Sequence, residues 1–207
     1  NDNKISKNEL AKLACKLEID ILKSPIGYQD QFATVYGGLN RLSFTKQKTT
    51  VKKINLENTL IKKFEESMLL VFTGIQRDGN VVLKKQNIDM NSKIESYKEM
   101  KKISLKAYKY LKNAKAFDVN YFSTLLNDNW NLKKELTIGI ENETTKSIIK
   151  SLKKSGASGL KLCGAGGGGF ILICAEKSAQ KKILKDHKTF NFYNFGISFE
   201  GTRSAII

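Results

Sequence analysis

Residues 160 to 175 read Leu-Lys-Leu-Cys-Gly-Ala-Gly-Gly-Gly-Gly-Phe-Ile-Leu-Ile-Cys-Ala, and five of the six residues from Gly164 to Gly169 are glycine. A backbone this bare reaches positive φ and lets another group approach closely. Successive N–H groups in such a loop form a concavity suited to an anion, phosphate above all. A glycine run also costs conformational entropy on folding, which argues against a plain turn. Two further residues have the chemistry to act with the loop. Asp30 follows a Pro25 to Gly27 break and sits among Gln29, Gln31 and Phe32. It is either a cap or solvated loop residue or a carboxylate available for proton transfer. Arg77 follows the apolar run Met68–Phe72 and Thr73-Gly74-Ile75. It can hold a phosphate or carboxylate in two parallel hydrogen bonds, or pair with Asp78 next to it.

The glycine spacing contains G-x-G-x-x-G at Gly164, Gly166 and Gly169, the fingerprint of a dinucleotide fold. That fingerprint requires a helix to open at the third glycine. Here Phe170 to Cys174 follow, bulky and largely β-branched, and they read as a buried strand. No Lys-Ser or Lys-Thr closes the loop, so it is not a Walker loop. The chain has neither H-R-D nor D-F-G, so it is not a protein kinase.

The elements that must position these residues follow from periodicity. Residues 7 to 22 read as one helix, capped by Ser6 with Glu9, with Leu10, Leu13, Leu17 and Ile21 as its core stripe. Pro25 breaks it and Gly27 permits a sharp turn. Leu39 to Phe44 and Thr50 to Leu56 form a hairpin. Residues 91 to 113 form a long helix, Asp118 caps a second that carries Trp130, and Asn142 caps a third that Gly156 ends. Trp130 at this spacing is a core residue or a ligand contact. A short basic helix spans Ser178 to Lys185, and Phe190 to Phe195 and Ile197 to Ile207 give two last strands. Helices packed on one antiparallel sheet make an α+β sandwich. A domain boundary is expected near Glu65-Glu66, dividing 1–65 from 66–207.

The chain has 207 residues, 41% hydrophobic and 27% charged, which calls for a folded core rather than disorder. No apolar stretch approaches the roughly 20 residues of a membrane span. The net charge is +16, yet only Arg41, Arg77 and Arg203 are arginine. Base readout favours arginine, so the scattered lysines read mainly as a solvated surface, with nucleic-acid contact as the lesser reading. Cys15, Cys163 and Cys174 lie in apolar surroundings without a C-x-x-C, as expected of buried thiols in the cytoplasm. His187 is the only histidine, which speaks against a histidine triad or zinc site. The start Asn1-Asp2-Asn3-Lys4 carries no initiator Met, and the expectation is a chain that begins partway through a longer protein.

Three segments together resemble the GHMP kinase superfamily of small-molecule kinases. Gly27-Tyr28-Gln29-Asp30-Gln31-Phe32 with Tyr36-Gly37-Gly38 is similar to the segment that carries the catalytic aspartate in its sugar-kinase branch. Leu162 to Phe170 is similar to the third family motif, and Thr73-Gly74-Ile75 with Arg77 to the strand end that opens the C-terminal domain. The Gln-Asp-Gln form, Gly-Gly-Leu-Asn downstream and Trp130 to Lys134 bring it nearest to the heptose 7-phosphate kinases, with galactokinases and fucokinases as rivals. The resemblance implies a ferredoxin-like C-terminal domain joined to the end of an N-terminal one, ATP and Mg²⁺ as cofactors, and a sugar phosphate as substrate. It implies Asp30 as the catalytic carboxylate, and Gly27, Gln29, Arg77, Gly164, Gly166 and Gly167 at the substrate. It places Gly164, Ala165, Gly166, Gly167 and Gly168 at the nucleotide. A homo-oligomer is open. The family's Gly-Leu-Gly-Ser-Ser phosphate loop does not occur in this chain. The expectation is therefore a C-terminal portion that lacks most of the ATP and Mg²⁺ site and has no activity alone.

Overall fold

A computed structural model describes residues 5–76, 93–136 and 139–203. The chain forms two compact units, Asn1–Asn55 with Gly196–Ile207, and Leu56–Phe195.

In the first unit, Ser6 caps helix α1 (Lys7–Cys15), its Oγ accepting from the Glu9 N–H at 3.2 Å while Glu9 Oε2 accepts from the Ser6 N–H at 3.0 Å. This is the capping box expected from the sequence. The helix does not continue as expected. Lys16–Ile21 wind as a π-helix, and the Leu22 N–H donates to the Leu17 carbonyl. The core stripe differs as well. Ala11 and Cys15 are buried with Phe32 and Val35 of helix α2 (Gln29–Tyr36), whereas Leu13, Leu17 and Ile21 are 55%, 50% and 62% exposed. Residues 11 and 13 lie about 200° apart on a helix, so only one of the two apolar rows can face α2. Strands β1 (Asn40–Phe44) and β2 (Thr49–Lys53) pair antiparallel with Leu42 opposite Val51, as the hairpin pattern predicts. The run from Ile197 does not form the expected strand over the described residues. Instead the Ser198 carbonyl accepts from the Gly38 N–H at 2.7 Å, and Gly201 lies against Val35 and Gly37.

The second unit contains α3 (Asn58–Glu66), β3 (Met68–Phe72), α4 (Ile94–Asn113), α5 (Val119–Leu136), α6 (Glu143–Lys154), β4 (Gly159–Leu162), β5 (Phe170–Cys174), α7 (Lys177–Asp186) and β6 (Phe192–Asn194). Its sheet has the order β4-β5-β3-β6, all neighbours antiparallel. This is the split β-α-β-β-α-β arrangement of ferredoxin-like sheets, here with several helices in the first crossover. It matches the α+β reading of the sequence. Leu69, Val71, Leu160, Leu162, Ile171 and Ile173 alternate onto one face and meet Trp130 of α5, Ile149 and Leu152 of α6 and Ile183 of α7. Trp130 is thus a core residue. The Glu65-Glu66 boundary expected from the sequence falls inside this unit. There α3 is held by Phe64, which stacks edge-on against Phe117, Phe122 and Phe195.

Candidate functional site

The glycine loop joins two neighbouring antiparallel strands, β4 and β5. The Cys163 N–H donates to the Phe170 carbonyl at 2.8 Å, which closes the ladder at the mouth of the loop. Gly164, Gly166, Gly167 and Gly169 have φ of 63°, 97°, 79° and 82°, the left-handed region that only glycine enters freely. Crowding divides these glycines into two kinds. A Cβ on Gly166 would lie 2.2 Å from Ile140 Cγ1, and one on Gly168 would lie 2.7 Å from the Ile75 carbonyl oxygen. These two bare positions admit the protein's own chain. A Cβ on Gly164 or Gly169 would meet nothing within 4 Å, so the loop is open there.

The donors divide in the same way. The Gly167 N–H donates to Ile140 O at 2.7 Å and the Gly169 N–H to Ile75 O at 2.9 Å. The N–H groups of Gly164, Ala165, Gly166 and Gly168 donate to no described residue. The loop's carbonyls are held by side chains that the sequence reading did not place at the loop. Lys133 Nζ of α5 donates to Gly164 O at 2.6 Å, and Asn142 Nδ2 donates to Gly167 O at 2.9 Å. Asn142 is also the N-cap of α6, its Oδ1 accepting from the Thr145 N–H at 2.8 Å. Thr73 fixes the far end, its N–H and Oγ1 both donating to Gly169 O at 2.8 and 2.9 Å. Only the N-cap role of Asn142 is visible in sequence; the contacts of Lys133 and Asn142 with the loop span 31 and 25 residues.

Lys161 projects from β4 on the face opposite Leu160 and Leu162, and its Nζ donates to Asn129 Oδ1 at 3.0 Å. Burial pushes its amine below the ordinary 10.5, and the neighbouring Cys163 partly opposes this. Burial likewise raises the Cys163 thiol, with Lys161 and Lys133 pulling the other way. The free thiols of Cys15 and Cys174 are buried, and burial pushes Cys174 up to about 11.

Asp30, Gly27 and Gln29 sit together in the first unit. Asp30 is exposed in the first turn of α2 and lines a cavity of about 400 Å³ with Leu10, Glu18, Gln31, Thr34 and Val35. Gln31 is buried, and its Oε1 has no hydrogen-bond partner among the described residues. The turn before α2 is not made by Gly27, as the sequence suggested. Lys23 takes the left-handed conformation, φ 54°, and a Cβ on Gly27 would meet nothing. Arg77 lies outside the described residues. No group of three or more His, Cys, Asp or Glu side chains that could hold a metal occurs among the described residues.

Residues 110–192, which carry α5, α6, the glycine loop and α7, match the family described as GHMP kinases C terminal. Within the second unit, this stretch is similar to a GHMP kinase C-terminal domain. Around this domain the chain is 27% identical over 205 residues to D-glycero-alpha-D-manno-heptose 7-phosphate kinase of Campylobacter jejuni, covering 97% of this chain and 60% of that protein. It is 29% identical over 205 residues to the bifunctional fucokinase/GDP-fucose pyrophosphorylase of Arabidopsis thaliana, covering 93% of this chain and 19% of that protein. Among solved structures, it resembles a D-glycero-D-manno-heptose 1-phosphate kinase from Bacteroides thetaiotaomicron, with a TM-score of 0.72 at 22% identity over 95% of this chain and 54% of that one. Mevalonate kinase of Methanococcus jannaschii shares the fold with a TM-score of 0.67 at 24% identity, over 93% of this chain and 57% of that one. The chain thus spans somewhat over half the length of the heptose kinases that it matches.

Proposed function

We propose that this chain is the C-terminal part of an ATP-dependent sugar kinase of the cytoplasm, and that its acceptor is the anomeric hydroxyl of D-glycero-D-manno-heptose 7-phosphate. The second unit is then the C-terminal kinase domain, and the first unit the end of the N-terminal one. The observation that carries this reading is the glycine loop, whose Gly164, Ala165, Gly166 and Gly168 N–H groups donate to no described residue, within a domain matching the GHMP kinase C-terminal family. Such donors suit phosphate oxygens. The likeness to the Campylobacter heptose kinase over nearly the whole chain supports the choice of sugar. A fucose-type acceptor is the second reading, favoured by the 29% identity to the Arabidopsis fucokinase.

Phosphoryl transfer asks a protein mainly for positioning and charge stabilisation. ATP, when bound, supplies the phosphoryl group. The sugar hydroxyl oxygen forms the new P–O bond, the bond to ADP breaks, and the hydroxyl proton passes to the Asp30 carboxylate. Among the described residues no group of three or more His, Cys, Asp or Glu side chains offers a magnesium site. The test is ADP release with ATP and a panel of heptose 7-phosphate, fucose and galactose. It is run on the 207-residue chain and on a longer product of the same reading frame. The expected result is turnover by the longer product with heptose 7-phosphate, a loss of at least about 100-fold on Asp30→Asn, and no turnover by the 207-residue chain. Turnover that survives Asp30→Asn overturns the catalytic assignment.

A further inference from the structure

We infer that Lys133 and Asn142 are positioning residues that turn the glycine loop into a phosphate site with two specific donors, the N–H groups of Ala165 and Gly168. The inference rests on the kinase reading only for the source of the phosphate. Its ground is peptide geometry. In a trans peptide the carbonyl of one residue and the N–H of the next point in opposite directions, and no described peptide bond is cis. Lys133 Nζ holds the Gly164 carbonyl at 2.6 Å, so the Ala165 N–H in the same peptide plane points away from Lys133. Asn142 Nδ2 holds the Gly167 carbonyl at 2.9 Å, so the Gly168 N–H points away from Asn142. Both anchoring side chains belong to the helical segment that covers the core face of the sheet: Lys133 to α5, and Asn142 to the N-cap of α6.

The remaining N–H groups restrict the site further. Those of Gly167 and Gly169 are taken by Ile140 and Ile75, and neither Ala165 nor Gly168 donates to any described residue. The two committed donors lock the loop, and of the four uncommitted ones, those of Ala165 and Gly168 are aimed by side chains. A carbonyl held by an ammonium is a charge-assisted bond, shorter and stronger than a neutral one. It therefore fixes the Ala165 plane firmly before any ligand arrives. A pre-set pair of donors avoids reorganisation on binding, which is how a loop of glycines, otherwise free to turn either way, gains affinity for an anion.

The test is a ¹⁵N–¹H titration of the 207-residue chain with inorganic phosphate. ADP and mannose 6-phosphate are then titrated separately to assign the source to nucleotide or sugar. The Ala165 and Gly168 amides are expected to move, and those of Gly167 and Gly169 to stay. Lys133→Met is expected to weaken phosphate binding about fivefold to tenfold and abolish the Ala165 response, with Lys133→Arg restoring it. Asn142→Asp keeps an oxygen for the α6 cap but loses the donor to Gly167 O, and it should abolish the Gly168 response. Asn142→Ser repeats that loss without an added carboxylate. Lys153→Met removes the same charge from an exposed position of α6 and should change affinity less than twofold. Binding that leaves the Ala165 and Gly168 amides unmoved overturns the inference, as does an equal loss in Lys153→Met and Lys133→Met. Failure of the kinase reading shows itself elsewhere, as absent turnover in the longer protein while both amides still respond to phosphate.

Discussion

A Cβ at Gly168 would lie 2.7 Å from the backbone oxygen of Ile75, and one at Gly164 would meet nothing within 4 Å. The two positions should therefore respond differently to the same methyl group. Gly168→Ala must push one stretch of backbone off another and should cost about 3 kcal/mol, the upper end for overpacking. Gly164→Ala pays only for its φ of 63° and should cost about 1 kcal/mol. Urea unfolding of both variants checks the difference. Lys161 gives a prediction in pH. Burial holds its amine below 10.5, so the native state binds that proton more weakly than the unfolded chain does. Below the lowered value, both states are charged and the fold bears the full cost of the buried ammonium. Between that value and 10.5 the native state sheds the proton first, and stability rises with pH. Lys161→Met should therefore melt a few degrees above the parent at pH 7, with the gap closing as pH approaches 10.5. A gap that is constant with pH would mean that packing, and not charge, sets it. At this scale the sequence showed that a bare backbone was needed at 164–169, but not what presses against it. Gly166 and Gly168 make room for Ile140 and Ile75, side chains with no marker in the local sequence.

Among elements, β4 is an edge strand, and α5 lies along it. Asn127 Nδ2 donates to Ser158 O at 2.8 Å and Asn127 Oδ1 accepts from the Leu160 N–H at 3.1 Å, so one amide takes the place of a neighbouring strand. A Cβ on Gly159 would lie 2.7 Å from Ser123 Cα, which shows how closely helix and strand approach. Asn127→Ala leaves two backbone groups unpaired. It should cost about 1–3 kcal/mol and open an edge that can pair with another chain. Light scattering at rising protein concentration detects the second effect, and unchanged stability and size would show that water replaces the amide at no cost. Strands β3 and β5 and the caps of α5 and α6 were legible because each rests on residues adjacent in the chain. Asp118 Oδ1, for example, accepts from the Asn120 and Tyr121 N–H groups. The first helix was misread because it has two apolar rows, and only the position of α2 decides which is buried. The expected final strand does not form over 197–203 because the Ser198 carbonyl finds its partner in the Gly37-Gly38 turn rather than in the sheet.

For the molecule as a whole, the first unit is built from both ends of the chain. Within it, Lys7 Nζ donates to Glu200 O at 3.2 Å, the Gly38 N–H donates to Ser198 O, and a Cβ at Gly37 would lie 2.3 Å from the Gly201 nitrogen. A chain ended after Phe195 should lose amide-exchange protection across residues 5–55 while the sheet of residues 56–195 keeps its own. Equal protection in both would mean that the first unit closes without its C-terminal segment. The alternation of apolar residues across β3, β4 and β5 was enough to announce the second unit's sheet, but no local pattern announces a unit assembled from distant segments. This return of the chain also orders events during synthesis. The ribosome must add residues 56–195 before the last strap of the first unit exists. At about 5–20 residues per second that is a delay of roughly seven to thirty seconds, during which the glycine-loop half can mature while the half bearing Asp30 still waits, a natural client for whatever shields nascent chains.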